Sequence, residues 1–202
     1  TATSRVIVER SVLETFTGKL VAKAREIVVG NGLEDGVTMG PAVSESQLRS
    51  NLDYVSIATS EGARLLAGGH RLTDGSFAHG WFMEPTLLGD VKAGSRIACE
   101  EVFGPVIGII AVDDFEQAIA VANEVEFGLS ASVVTRDFAR AMRYVDRIEA
   151  GVVKVNQIST GLALQAPFGG VKGSSTDSFR EQGLAALDFY TRSRTVYLDY
   201  SN

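Results

Sequence analysis

Between residues 106 and 156 the chain alternates short apolar runs with stretches of helical period, and that alternation constrains the fold more than anything else. Val106–Val112 is a continuous apolar run of strand length, the pattern of a strand covered on both faces. Asp113 and Asp114 then supply a start for a helix over Phe115–Asn123. The cycle repeats: residues 129–134 read as a buried strand, 137–149 as an amphipathic helix closed by Gly151, and 152–156 as a third strand. Strands alternating with helices predict βαβ units, hence an α/β fold with a mostly parallel sheet and flanking helices.

The flanks fit the same fold less regularly. Residues 5–9 alternate and are β-branched, predicting a strand, and 11–29 carry apolar residues at helical spacing up to Gly30. Residues 31–41 read as loop. Ser44 is placed to cap a helix, with Gln47 three residues on, and that helix runs towards Gly62. Residues 63–67 predict a short strand, 68–80 a hairpin or loop, and 81–88 an extended stretch in which Pro85 marks an edge or a bend. Beyond a Gly-rich loop, 179–187 read as helix and 194–200 as an alternating strand with nothing after it to pair with. Such an edge invites another chain.

Length and composition narrow the function. A chain of 202 residues, 45% hydrophobic, buries a sizeable core; a domain of this size hides roughly 70% of its unfolded surface. With no linker, repeat or low-complexity tract, one folding unit is expected: residues 1–190 as the domain and 191–202 as a tail. The formal charge of -6 and the absence of a basic run oppose nucleic-acid binding. No apolar run reaches about 18 residues and no charged-then-apolar leader opens the sequence, which predicts no membrane span, no signal peptide and a cytosolic protein. The single cysteine excludes an internal disulfide. His70 and His79 lie in a Gly-rich stretch without a second ligand at metal spacing, so no metal site is expected.

Two segments carry chemistry. In Cys99-Glu100-Glu101-Val102-Phe103-Gly104-Pro105, a carboxylate (Glu101) and a ring (Phe103) two positions apart face one side of an extended segment, before a bend fixed by Gly104 and Pro105. A carboxylate can accept from both hydroxyls of a ribose while a ring packs beside a nicotinamide. The plainer reading is an acidic turn followed by a core Phe. The second segment runs from Asn156 through Gln157, Ile158, Ser159, Thr160, Gly161 and Leu162 to Phe168. It leaves a strand end, which is where open α/β sheets place ligands.

Together with Ala166-Pro167-Phe168-Gly169-Gly170-Val171-Lys172-Gly173, these segments resemble the C-terminal half of an aldehyde dehydrogenase. Thr3-Ser4-Arg5, Gly40-Pro41-Ala42-Val43, Glu84-Pro85-Thr86 and Phe127-Gly128-Leu129-Ser130 extend the resemblance in the family's order over almost the whole chain. It implies the fold of that family's catalytic domain plus a C-terminal oligomerisation strand, in a dimer or tetramer. It also implies NAD or NADP as cofactor, with Glu101 on the nicotinamide ribose and Phe103 at the nicotinamide. A small-molecule aldehyde is then the substrate, in a tunnel lined by Gln157, Ile158, Ser159, Thr160, Leu162 and Phe168. Where the family has aromatic tunnel positions this chain has Thr160 and Leu162, with Gln157 and Ser159 nearby, which suits a polar or carboxylated aldehyde. The wording around Lys154-Val155-Asn156, Phe179-Arg180-Glu181-Gln182-Gly183 and Asp188-Phe189-Tyr190-Thr191 is most similar to the branch that oxidises 2-oxoglutarate semialdehyde (2,5-dioxopentanoate). Succinate semialdehyde dehydrogenases are close neighbours.

In that family a thiolate attacks the aldehyde, hydride passes to NAD(P)+, and water activated by a glutamate hydrolyses the thioester. The resemblance places the nucleophilic cysteine just before Thr1, with the general base further upstream. No catalytic residue is then expected among these 202, and the segment alone should be inactive, with a separate chain carrying the missing half as one option the resemblance leaves. Cys99 is not that nucleophile: Glu100 and Glu101 beside it oppose a thiolate, so a small hydrophobe is the reading. Two alternatives have other bases. Thr1 suggests an N-terminal-nucleophile hydrolase, which the βαβ alternation opposes. The missing nucleophile suggests a non-catalytic oligomerisation or scaffold module, donating residues 194–200.

Overall fold

A computed structural model describes residues 2–175 and 180–201. Two compact units make up the chain, Ala2–Val125 and Glu126–Asn202, although no linker composition marks the boundary.

The first unit is built on a four-stranded sheet. Strand β1 (Arg5–Glu9) leads into helix α1 (Arg10–Arg25), and α2 (Glu45–Ser60) precedes β2 (Arg64–Ala67). Then come β3 (Thr86–Gly89), the short α3 (Arg96–Cys99), β4 (Val106–Val112) and α4 (Phe115–Asn123). The sheet order is β1-β4-β3-β2, with β1 and β3 parallel to β4 and β2 antiparallel to β3. The sheet is therefore mixed, with its parallel part around β4. That strand is buried at five of seven positions, as its unbroken apolar run predicted. Leu88, Ile110, Val112 and Leu48 belong to one core cluster with Val102 and Val106, the residues that bracket the Phe103 bend.

Capping signals placed the helices well. Ser44 and Asp114 each accept a backbone N–H three residues on, from Gln47 and Gln117. Arg5 donates to the carbonyls of Val121 and Ala122 at 3.2 Å, closing α4 with a cation where its dipole is negative. Three expectations need correction. Helix α1 stops at Arg25 rather than reaching residue 29, because Val28 and Val29 pair with Thr38 and Met39 instead. Pro85 marks no edge, since the strand it precedes, β3, is hydrogen-bonded on both sides. Within 81–88 only the last residues join that strand.

In the second unit β5 (Phe127–Gly128) pairs antiparallel with β8 (Val171–Lys172). Strand β6 (Ser130–Val133), helix α5 (Phe138–Arg147) and β7 (Val152–Val155) form the predicted βαβ unit, β6 and β7 parallel in register Ser130↔Val152 to Val133↔Val155. Asp137 caps α5 by accepting from the Arg140 N–H. β6 is half-buried rather than buried. The last helix, α6 (Ala185–Tyr190), begins later than expected, and its predicted start at Phe179 lies outside the described residues, as does Thr1. Residues 191–201 form no strand within the chain and are exposed, Val196, Tyr197, Leu198 and Tyr200 included.

Candidate functional site

Glu101 to Phe103 alternates out, in, out: Glu101 is exposed, Val102 is buried in the core, and the Phe103 ring is 79% exposed. Phe103 is therefore not a core ring. The bend falls where the sequence expectation put it. It lies at Gly104 and Pro105 and is entered through Phe103, whose φ of 57° lies in the left-handed region. An L-residue there costs about 1–2 kcal/mol, so the surroundings must hold it. Gly104 needs no such φ; it is required because a Cβ there would come within 2.4 Å of the Asn51 amide. Downstream, the Pro105 carbonyl accepts from Thr86 N–H at 2.8 Å. Thr86, 1% exposed, is itself fixed by donating its hydroxyl to the Glu84 carbonyl and accepting from Gly69 N–H, both at 2.9 Å.

Upstream, the two adjacent glutamates have separate fates. Arg96 grips Glu100 with two parallel bonds of 2.8 Å, and the Tyr54 hydroxyl donates to the same carboxylate at 2.6 Å. The Arg96 guanidinium, and then the Tyr54 hydroxyl, hold the Glu100 carboxyl down at about 2. The same contact raises the Tyr54 phenol above its ordinary value. Glu101 has no hydrogen bond or ion pair among the described residues, and neither does the Phe103 ring. One carboxylate is structural, and its neighbour is left open beside an open ring. That pair can accept from two vicinal hydroxyls and pack against a flat heterocycle.

Cys99 ends α3 half-buried, its thiol donating to the Ala93 carbonyl at 3.4 Å. That is the packed, engaged side chain expected of a structural cysteine. His70 faces Glu84 at 3.2 Å on the surface, and no group of three or more His, Cys, Asp or Glu among the described residues could hold a metal ion. No helix among them is long and apolar enough to cross a membrane.

In the second unit the segment after β7 is brought together as one loop. Asn156 turns the chain with φ 54°, and its side-chain oxygen accepts from Thr135 N–H at 2.8 Å, tying the ends of β6 and β7. The Ser132 hydroxyl donates to the Gln157 carbonyl. Lys154, on β7, reaches across the loop and donates to the carbonyls of Thr160 at 2.6 Å and Gly161 at 2.7 Å. Gln157, Ile158, Thr160 and Leu162 are exposed on this loop and Ser159 is half-buried. Phe168 sits further along, half-buried, its backbone bridged to Glu181 in both directions at 2.6 and 2.8 Å. Arg180 donates to the Gly170 carbonyl, closing the Gly-rich stretch.

Sequence reasoning missed the supports: Gln47, Asn51, Thr86 and Lys154. A signal existed only for Gln47, as the second half of a capping box. Its backbone N–H is indeed capped by Ser44 at 3.1 Å, but its side chain turns to Val102 and Phe103 instead of back to Ser44.

A sequence profile described as "Aldehyde dehydrogenase family" matches residues 1–196. Alpha-ketoglutarate semialdehyde dehydrogenase of Haloferax volcanii is 52% identical over 99% of this chain and 41% of that protein. The 2,5-dioxopentanoate dehydrogenase of Saccharolobus solfataricus is 40% identical over 98% of this chain and 40% of its own length. Among solved structures, betaine aldehyde dehydrogenase of Staphylococcus aureus in complex with NAD+ superposes with a TM-score of 0.88 at 33% identity, over 93% of this chain and 37% of that one. The chain thus spans about two fifths of the length of the curated relatives it matches.

Proposed function

This chain belongs to the aldehyde dehydrogenase family, and we propose that it forms the catalytic-domain segment of an NAD(P)-dependent enzyme oxidising a small carboxylated semialdehyde to the acid. The observation that carries the proposal is the Glu101–Phe103 bend: a carboxylate and a ring, both open, on a strained turn held by tertiary contacts. Strain of that kind persists where the surroundings over-determine it, and it clusters at ligand clamps. NAD(P)+, when bound, supplies the hydride acceptor. Glu101 would accept from its ribose hydroxyls, and Phe103 would pack at the nicotinamide to orient it. The residues fit that group, because Arg96 and Tyr54 occupy Glu100 and leave Glu101 available.

The loop of Gln157, Ile158, Ser159, Thr160 and Leu162, with Phe168, would form a wall of the aldehyde tunnel. Its polar members favour a substrate with a polar end. The names of the relatives from Haloferax volcanii and Saccharolobus solfataricus point to 2-oxoglutarate semialdehyde. On this reading Cys99, engaged with Ala93, is structural, and the nucleophilic thiol would be supplied from outside these 202 residues, as the family resemblance implies. Without that thiol and a general base the segment by itself would not turn over. Residues 191–201 would pair with another copy in a dimer or tetramer, as their exposed Val196, Leu198 and Tyr200 suggest.

The test uses the intact protein that carries this segment. Reduced cofactor should form with 2-oxoglutarate or succinate semialdehyde faster than with benzaldehyde, and Glu101→Gln should weaken NAD(P)+ binding while leaving the aldehyde KM nearly unchanged. A Glu101→Gln protein with unaltered cofactor affinity would sink the cofactor assignment, and a preference for benzaldehyde would sink the substrate assignment.

A further inference from the structure

Asn51 is a polar side chain 1% exposed in the middle of α2, and such a group is kept inside a core only when its amide is paired. Its partners all belong to the Phe103 bend or to Gln47. In one orientation the amide accepts from Gln47 Nε2 at 2.9 Å; in the other it donates to the Val102 carbonyl at 3.2 Å and the Gln47 carbonyl at 3.3 Å. Gln47 Nε2 in turn donates to the carbonyls of Val102 at 3.0 Å and Phe103 at 3.3 Å. A Cβ on Gly104 would lie 2.4 Å from Cγ, Nδ2 and Oδ1 of Asn51 alike, so the Gly104 backbone rests on the flat of that amide.

We infer that Asn51, with Gln47, is a positioning residue for the cofactor clamp. Helix α2 uses the buried amide as the floor beneath Gly104 and the Gln47 amide as the hook on the preceding carbonyls. Together they keep Phe103 at its left-handed φ with Glu101 and the ring presented outward. Neither amide need touch the cofactor for this. The inference rests on the reading of Glu101 and Phe103 as cofactor contacts, and it adds why this chain carries a glycine at position 104 where the backbone dihedrals do not demand one.

The test compares Asn51→Leu, Gly104→Ala, the double variant Asn51→Ala/Gly104→Ala, and Glu101→Gln in the intact protein. It measures NAD+ and NADP+ dissociation constants, the aldehyde KM and the cofactor-free thermal midpoint. Asn51→Leu and Gly104→Ala should each weaken binding of the preferred cofactor roughly tenfold, with aldehyde KM within about twofold, because a small misplacement of a binding group is costly. The double variant should recover part of the affinity lost in Gly104→Ala, since truncation at position 51 makes room for the new methyl. Folded Asn51→Leu with wild-type cofactor affinity, while Glu101→Gln binds weakly, would overturn the positioning role alone. Unchanged affinity in Glu101→Gln would overturn the cofactor reading itself. If Asn51→Leu does not fold, the double variant decides: affinity no better than in Gly104→Ala rejects the inference.

Discussion

The ammonium of Lys154 lies 2.6 Å from the Thr160 carbonyl oxygen and 2.7 Å from that of Gly161, so a cation on β7 ties down the loop that leaves the end of its own strand. Charge-assisted bonds to two successive carbonyls fix a backbone whose side chains are otherwise exposed.

If that loop is a tunnel wall, Lys154→Met should raise the aldehyde KM roughly three- to tenfold and leave cofactor affinity alone, the signature of lost substrate binding. Lys154→Arg, which keeps the charge, should recover part of the effect. Wild-type KM in Lys154→Met would show that the loop keeps its shape unaided.

The Arg96–Glu100–Tyr54 cluster should make stability fall in acid. The Glu100 carboxyl, ordinarily near 4.5, is held at about 2, so its contribution is fully present above the unfolded value and is lost as pH drops from about 4.5 towards about 2. Thermal midpoints between those pH values should decline more steeply for the wild type than for Glu100→Gln. The groups are exposed, and salt at roughly 1 M should flatten the difference. Parallel curves at low salt would rule the cluster out as a source of acid sensitivity.

Ser44→Ala removes the cap of α2 and should cost about 1 kcal/mol in denaturant unfolding, the usual value for a lost N-cap. A loss below a few tenths would mean that the side-chain bonds of Gln47 and Asn51 anchor that helix end without the cap.

Gly151→Ala should be far worse. A Cβ there would fall 1.8 Å from the Gly169 carbonyl oxygen, a backbone atom with no rotamer in which to retreat. Soluble expression should drop sharply, and a normally stable Gly151→Ala protein would contradict the close approach of the two segments.

Ile109→Ala, in the middle of β4 at 2% exposure, should destabilise by about 2–5 kcal/mol, the range for deleting a buried aliphatic side chain. A loss under about 1 kcal/mol would argue that the sheet collapses around the vacancy.

Much of this is legible in the sequence. Element type is, because hydrogen-bond period and capping are local: Ser44, Asp114 and Asp137 each sit at the predicted helix start, and the apolar run of Val106–Val112 is a buried strand. The outward Glu101 and Phe103 were readable from their period-two spacing and the family resemblance. Residues 194–200 showed an alternating pattern without a partner in the chain to complete it.

What only the tertiary structure decided depends on segments far apart in sequence. It divided the strands between a four-stranded mixed sheet and two small ones, since pairing partners are chosen by packing and not by propensity. It ended α1 at Arg25, where Val28 found a partner in Thr38. It set Phe103 at a left-handed φ just ahead of the bend, and it made Gly104 necessary through an amide fifty-three positions away in the chain. It also sent the Gln47 side chain to the bend instead of to its own helix end. Local rules specify which residues can form a helix, a strand or a cap; which of two competing contacts a polar side chain takes is settled by what the rest of the fold brings within about 3 Å of it.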